Sequence, residues 1–92
     1  MSEISETAEL LKALADPTRL KILSILSEKG CMLCVNAISH HLGISQSAVS
    51  QHLKVLKQAK LVISERKGYH VHYSVEKEKV KSICDSLLSI FK

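Results

Sequence analysis

Two cysteines three residues apart, Cys31 and Cys34, are the residues of this sequence best suited to chemistry. Two thiolates at this spacing can share a soft ion such as As(III), Cu(I) or Zn(II), and they can also close an intramolecular disulfide. Cys84 is a third thiol, which either completes a three-thiolate site or packs as a small apolar side chain. We favour packing for Cys84 and sensing for the pair, and the sequence does not rank metal or metalloid binding above thiol oxidation.

A second set of residues has the chemistry of DNA recognition. Ser47, Ser50, Gln51 and Lys54 follow helical spacing, and so form one polar ridge, without Asp or Glu, on a predicted helix capped by Ser45. Hydroxyl and amide groups pair with base edges, and lysines neutralise phosphates. We therefore predict a DNA-reading surface that contains the ridge, two neighbours on the same helix and two basic residues further along the chain: Gln46, Ser47, Ser50, Gln51, Lys54, Lys57, Arg66 and Lys67.

The residues before this helix predict how it is presented. A short helix ends at Leu42, Gly43 can take the positive φ of a helix stop, and Ser45 can cap the helix that follows. The side of the second helix away from the ridge is apolar and belongs in a core; it carries Ala48, Val49, Leu53 and Leu56. A helix, a tight turn and a capped helix with an exposed polar side make up a helix-turn-helix unit.

The segment after this unit predicts a β-hairpin. Residues 61–66 form one predicted strand, Lys67 and Gly68 the turn, and residues 69–75 the returning strand. Alternation along the second strand places four of its residues on a half-buried face: Tyr69, Val71, Tyr73 and Val75. With Arg66 and Lys67 at its tip, the hairpin is either a wing that reaches phosphates or a minor groove, or a solvated turn; the sequence fits both equally.

The helices at the two ends of the chain predict a dimer. Residues 5–14 and 76–92 are each amphipathic. Because the helices between them already fill a core, we expect these two to form a homodimer interface, which places two recognition helices about 34 Å apart. The helix after the first one begins at Pro17 with Asp16 as its cap, and its core-facing side includes Leu20.

Composition excludes several classes of protein. The 92 residues are 46% hydrophobic but only 3% aromatic, with a formal charge of +4, which predicts a single, mainly helical domain over residues 1–92 that is suited to a polyanion. No apolar run approaches the roughly 18 residues of a membrane span, and three cysteines do not make a disulfide framework, so we expect a reduced, cytoplasmic protein without membrane contact. There is no Ser/His/Asp arrangement and no phosphate-binding glycine loop, so we do not expect an enzyme.

Three ordered motifs together resemble the ArsR/SmtB family of dimeric winged helix-turn-helix repressors. They are Asp16-Pro17-Thr18-Arg19-Leu20, Leu33-Cys34-Val35 and the run from Ser45 to Leu56. The resemblance implies a mainly α fold of about five helices with a two-stranded wing, and a homodimer that occupies a pseudo-palindromic DNA operator. It also implies release of that DNA when an inducer binds, commonly a metal ion or metalloid and sometimes a persulfide or another oxidant.

The departures from the family pattern concern the inducer and one turn. The chain has Cys34-Val35-Asn36 where the family's arsenic and cadmium sensors carry Cys-Val-Cys, and Cys31 is an additional thiol. Residues 77–89, where the family's zinc sensors place Asp and His ligands, contain no His, so that zinc site is absent from the sequence. Lys60 stands where the family usually has Gly, which requires either a left-handed lysine or a different end to the helix.

Several polar residues keep two interpretations. Arg19 either contacts a phosphate or forms an ion pair within the domain, and His52 either packs or contacts a phosphate. Two histidine pairs can bind a metal, although we favour a solvated or DNA-facing role for both; they are His40 with His41 and His70 with His72.

The sequence thus predicts a DNA-binding transcriptional regulator. We expect a repressor that releases its operator when a soft metal, a metalloid, an oxidant or a persulfide acts on Cys31, Cys34 and Cys84; no cofactor is certain. The alternative is a thiol-based redox or metal-handling protein whose winged helix does not bind DNA. Steep weakening of DNA binding by salt separates the two, because only the first neutralises phosphates.

Overall fold

Within residues 2–29 and 33–91, which the computed structural model describes, five helices surround a three-stranded antiparallel sheet. The helices span Glu3–Leu14 (α1), Pro17–Lys29 (α2), Val35–Leu42 (α3), Gln46–Gln58 (α4) and Lys77–Ile90 (α5). The strands span Leu33–Cys34 (β1), Val62–Lys67 (β2) and His70–Val75 (β3). The predicted winged helix-turn-helix fold with five helices is confirmed, and the sheet has one strand more than expected.

Side-chain oxygens cap the starts of α1, α2 and α4. Ser2, Asp16 and Ser45 each accept a hydrogen bond from the backbone N–H three residues further on, at 3.1, 3.0 and 3.0 Å. The caps predicted at Asp16 and Ser45 are confirmed. Helix α1 begins earlier than expected because Ser2 satisfies an N–H group of its first turn.

The turn between α3 and α4 has the predicted geometry. Gly43 adopts a left-handed conformation with φ of 66°, and its N–H donates to the Ser39 carbonyl at 2.9 Å. The Ser39 hydroxyl in turn donates to the Ile44 carbonyl. These bonds end α3 and direct the chain to the Ser45 cap, so that α4 starts only three residues after Gly43.

The end of α4 is a Schellman turn built on a lysine. Lys60 has φ of 62°, its N–H donates to the Lys57 carbonyl at 3.0 Å, and the Leu61 N–H donates to the Leu56 carbonyl at 2.9 Å. Leu56 and Leu61 are both fully buried, as the apolar contact of this motif requires. Of the two possibilities that the sequence left open for Lys60, the chain therefore uses the left-handed lysine.

The sheet has the order β1-β3-β2, and its edge strand β1 was not predicted. Leu33 lies opposite Tyr73, and Cys34 lies opposite His72. A strand of two residues carries no periodicity of its own, and its partner lies about 40 residues further along the chain, so only the tertiary structure reveals it. The extra strand also covers part of β3, whose residues from Val71 to Val75 are all half-buried instead of alternating.

The hairpin turn lies one residue later than predicted. Strand β2 continues to Lys67, and Gly68, with φ of 64°, forms the turn together with Tyr69. The placement of Tyr69 on a half-buried strand face was wrong, since its side chain is 100% exposed. Gly68 takes the first of the two turn positions, the one with positive φ, and Tyr69 takes the second. The tip therefore lies one residue beyond the predicted one.

One aliphatic core joins the helices to the sheet. Its most buried members are Ile22, Leu26, Ile38, Val49, Leu53, Leu56, Leu61, Val62 and Ile83. The prediction for Leu20 was wrong, because this side chain is 52% exposed. Leu20 precedes Ile22 by two residues and therefore points about 200° away from it around α2. Helix α5 contributes Ile83 to the core and packs mainly against α1.

Replacing Lys60 by glycine should stabilise the protein. Glycine adopts the left-handed conformation without the steric cost that an L side chain meets there, and we expect this gain to exceed the entropy that glycine loses on folding. The free energy of unfolding should rise by about 0.5 kcal/mol in urea titrations followed by circular dichroism. Lys57→Gly is the matched control: it places glycine inside α4 and should lower the same quantity by about 1 kcal/mol. A K60G variant less stable than the wild type would contradict this account of the turn.

Candidate nucleic-acid interface

Helix α4 presents its polar ridge to solvent. All six candidate DNA-binding residues on this helix are exposed; they are Gln46, Ser47, Ser50, Gln51, Lys54 and Lys57. On the other side of the helix Val49, Leu53 and Leu56 are buried, with at most 1% of their surface exposed. The helix is thus fixed through its apolar side, and a surface of hydroxyl, amide and ammonium groups without a carboxylate faces outward.

Gln46 has a second contact that the sequence did not reveal. Its Nε2 donates to Asn36 Oδ1 at 3.0 Å, which joins the first residue of α4 to the first turn of α3. Neither residue is a cap, and nothing in their spacing signals the pairing. The bond ties together the two helices of the helix-turn-helix unit at the end where base contacts begin.

The wing carries its candidate residues at the end of β2. Arg66 and Lys67 are exposed, and Lys67 Nζ lies 4.0 Å from Glu65 Oε1, an exposed pair that contributes little to stability. Tyr69 stands beside them at the tip. An exposed aromatic ring next to two cations is a functional candidate that the sequence analysis missed, because alternation had placed it on the half-buried face of the strand.

The thiols occupy different parts of the structure. Cys31 lies outside the described residues. Cys34 is half-buried, and as the last residue of β1 it directly precedes α3. Cys84 is exposed on α5, so the prediction that it is buried in the apolar stripe was wrong for the single chain. The stripe of α5 is wider than the part of it that α1 covers, and Cys84 falls on the uncovered part.

An imidazole lies next to Cys34. His72 pairs with Cys34 across β1 and β3, so both side chains project from the same face of the sheet. The His72 Nδ1 atom is buried and has no hydrogen-bond partner, and its ring centroid is 6.3 Å from that of His70. Among residues 2–29 and 33–91, however, no three His, Cys, Asp or Glu side chains are placed to hold a metal ion together.

Arg19 is used within the domain. Its guanidinium hydrogen-bonds to the backbone carbonyls of Lys12 and Ala13 and lies against His52. Of the two interpretations of Arg19, the structure therefore favours an internal contact over a phosphate contact. His52 is partly buried in the same place, which agrees with a packing role.

A model of the arsR family of bacterial regulatory proteins matches residues 16–64. The chain belongs to the ArsR family. The matched segment begins at the cap of α2, includes the whole helix-turn-helix unit and ends within β2, so it contains the ridge described above.

Individual transcriptional regulators resemble the chain over most of its length. A helix-turn-helix transcriptional regulator of Methanocaldococcus jannaschii is 40% identical over 83 residues, which cover 90% of this chain and 92% of that protein. The transcriptional repressor SdpR of Bacillus subtilis is 42% identical over 66 residues, which cover 72% of this chain and 71% of SdpR. The homodimeric winged helix-turn-helix DNA-binding domain Mb0332 of Mycobacterium bovis superimposes with a TM-score of 0.77 at 27% identity, over 96% of this chain and 79% of that chain.

Membership of the ArsR family confirms the resemblance inferred from the three sequence motifs. The chain is a winged helix-turn-helix DNA-binding transcriptional regulator of the ArsR/SmtB type and not an enzyme. None of the helices in the described part of the chain combines the length and the apolar character needed to cross a membrane.

Proposed function

We propose that this regulator represses transcription as a homodimer on a pseudo-palindromic operator, and that an inducer acting on its thiols releases the DNA. The observation that carries the proposal is the exposed, carboxylate-free ridge of α4, whose opposite side is anchored in the core. We place its site of action in the cytoplasm, because its proposed role requires access to the genome. The repressor SdpR, which resembles the chain, supports repression as the mode of regulation.

The candidate DNA-binding residues of α4 have separate roles in this proposal. Ser47, Ser50 and Gln51 face base edges in the major groove, where hydroxyl and amide groups meet donors and acceptors that differ between base pairs. Lys54 and Lys57 contact phosphates. Gln46, which is already bonded to Asn36, contacts DNA at the start of the helix through groups that this bond leaves free.

The wing holds the flanks of the operator. Arg66 and Lys67 supply positive charge at the end of β2, and the fully exposed Tyr69 lies next to them in the turn. Contacts of this kind to phosphates or a minor groove position a protein on the duplex and add affinity that does not depend on sequence.

The dimer interface lies on α1 and α5. These helices pack side by side and leave large apolar side chains uncovered, among which Leu88 is 71% and Phe91 76% exposed. Ile4 of α1 adds to the same set of exposed apolar residues. An apolar surface of this kind indicates a protein interface. The homodimeric domain of Mycobacterium bovis supports a second copy of this chain as the partner.

The inducer acts on Cys31, Cys34 and Cys84 in this proposal. A soft metal ion, a metalloid or a thiol oxidant is the matching chemistry, since thiolates bind soft ions and are the reactive form of cysteine. Cys34 lies between the wing sheet and α3, and His72 beside it offers a nitrogen atom without a hydrogen-bond partner. A change at Cys34 therefore reaches both DNA-contacting parts.

Removal of the ridge side chains should weaken DNA binding in two distinguishable ways. For the promoter region upstream of the protein's own gene, Ser50→Ala with Gln51→Ala should lower affinity at least about tenfold and leave binding to unrelated DNA unchanged. Lys54→Ala should weaken binding to both DNAs and reduce the salt slope by about 0.9 for each lost phosphate contact, hence by about 1.8 in a dimer. Fluorescence anisotropy at salt concentrations from about 50 to about 300 mM measures both the affinity and the salt slope.

Lys21→Ala is the matched control for Lys54. Lys21 is also exposed, but it lies on α2, outside the ridge, the wing and the two helices of the proposed dimer interface. Affinity and salt slope of this control should equal those of the wild type. If the variants with changed ridges bound both DNAs as the wild type does, the assignment of the DNA-reading surface would be wrong.

A charge at position 88 should produce a monomer. Leu88→Glu places a carboxylate on the proposed interface, yet Leu88 is largely exposed in the single chain, so the fold should persist. Sedimentation equilibrium should give a monomer where the wild type is a dimer. Ser82→Glu, which lies about 120° around α5 from Leu88, is the control and should remain dimeric. A dimeric L88E variant would place the interface elsewhere.

The thiol switch can be tested on the preformed complex. Arsenite, a zinc salt and a persulfide are added separately to reduced protein bound to the promoter DNA. We expect one of these three compounds to release the DNA. Cys34→Ser should abolish that release without weakening the initial binding. Cys84→Ser separates a three-thiolate site from one made by the other two cysteines. Binding that none of the compounds changes would show that the cysteines are structural.

A further inference from the structure

Three side chains meet where the end of α1, the start of α2 and the middle of α4 come together. We call Asp16, Arg19 and His52 the corner cluster. The Arg19 guanidinium uses three nitrogen atoms: Nε donates to the Ala13 carbonyl at 2.6 Å, Nη2 donates to the Lys12 carbonyl at 3.2 Å, and Nη1 lies 3.3 Å from His52 Nδ1. One planar group thus joins three helices, and a lysine cannot reproduce this fork.

The contacts of Arg19 with α1 satisfy a general need of that helix. Lys12 and Ala13 belong to its last turn, where backbone carbonyls have no partner within the helix. A cation at this end is also favoured by the helix dipole. Arg19 is therefore held firmly by α1, and its third contact connects α4 to a fixed point.

His52 belongs to the recognition helix but not to its ridge. Its neighbour Gln51 is exposed, whereas the His52 side chain is only 24% exposed and faces the corner. His52 Nδ1 can accept a hydrogen bond from Arg19 in the neutral tautomer that carries its proton on Nε2. In this arrangement the residue contacts no base and orients the helix that does.

Asp16 completes the charge balance of the corner cluster. Its Oδ2 accepts a hydrogen bond from the Arg19 backbone N–H at 3.0 Å, and this bond, assisted by the Arg19 charge, holds the pKa of the Asp16 carboxyl below its ordinary value. The same oxygen lies 3.9 Å from His52 Nδ1. A carboxylate and a guanidinium thus flank the imidazole from the side of α2.

We propose that Arg19 and His52 are positioning residues for DNA binding, which fix the rotation of the recognition helix α4 relative to α1. This inference rests on the proposed function, because α1 is there the helix of the dimer interface. The contact then sets how each ridge is oriented with respect to the two-fold axis and to the second ridge.

Small rotations of α4 affect DNA binding because they displace the side chains of the ridge. Side-chain tips lie about 5–6 Å from a helix axis, so a rotation of about 20° displaces them by about 2 Å. Binding groups need placement within about 0.5 Å. The apolar side of α4 resists large movements, but side chains such as Val49 and Leu53 have no directional bonds, whereas the bond from Arg19 to His52 is directional.

The test compares two substitutions of His52. His52→Asn keeps an acceptor near the position of Nδ1, and His52→Leu keeps the bulk without an acceptor. We expect H52L to bind the promoter DNA about tenfold more weakly and H52N to stay within about threefold of the wild type. Leucine is the better helix former, so the free energy of unfolding should be higher for H52L than for H52N. If His52 had only a structural role, the more stable variant, H52L, would also bind the DNA more tightly than H52N.

Arg19→Lys supplies the second comparison. It should weaken DNA binding in the wild-type background and have little further effect in the H52L background, because the bond is already absent. If H52L does not fold, R19K takes its place in the comparison: it should bind the promoter DNA more weakly than the wild type and H52N do. Additive losses, or an H52L variant that binds as tightly as the wild type, would overturn the positioning role. Absence of DNA binding by the wild type would instead contradict the proposed function.

Discussion

The burial of one side of α4 is the constraint on which the rest of the structure depends. Val49, Leu53 and Leu56 are almost fully inaccessible, and burial of side chains of this size contributes about 1.5–3 kcal/mol each. A helix of 13 residues with this content of serine, valine and histidine is not stable alone in water. The core therefore holds the helix, and its polar side is free to carry residues chosen for recognition and not for folding.

The same packing also fixes where the wing begins. The left-handed turn at Lys60 brings Leu61 back onto Leu56, and β2 starts at the next residue. An alternative end to α4 would shift β2 relative to the ridge and would remove Leu61 from the core. The unfavourable conformation of one lysine is thus offset by the burial of a leucine, and the two DNA-contacting parts acquire a fixed relation.

Local signals predicted the centre of this fold well. The Ser45 cap, the left-handed Gly43 and the apolar spacing of α4 each lie within a few residues of one another, so the sequence alone defines the helix-turn-helix unit and its exposed ridge. Non-local features were missed. Strand β1 exists only through its pairing with β3. Tyr69 lies in the turn and not in the sheet, because Gly68 sets the position of the turn. The contacts of Arg19 likewise depend on the angle between helices, which no periodicity encodes.

The proposed thiol switch at Cys34 lies outside the ridge of α4 but close to both parts that contact DNA. Cys34 is both the last residue of β1 and the residue that precedes α3, where its side chain makes no capping hydrogen bond. Through β1 it is bonded to the wing strand β3, and through α3 it supports the turn that starts α4. A ligand or a modification there alters the charge at the start of a helix and the edge of the sheet together. In the proposed mechanism the path from inducer to DNA is short, because Cys34 lines one cavity together with Gln46 at the start of α4 and with Tyr69 of the wing.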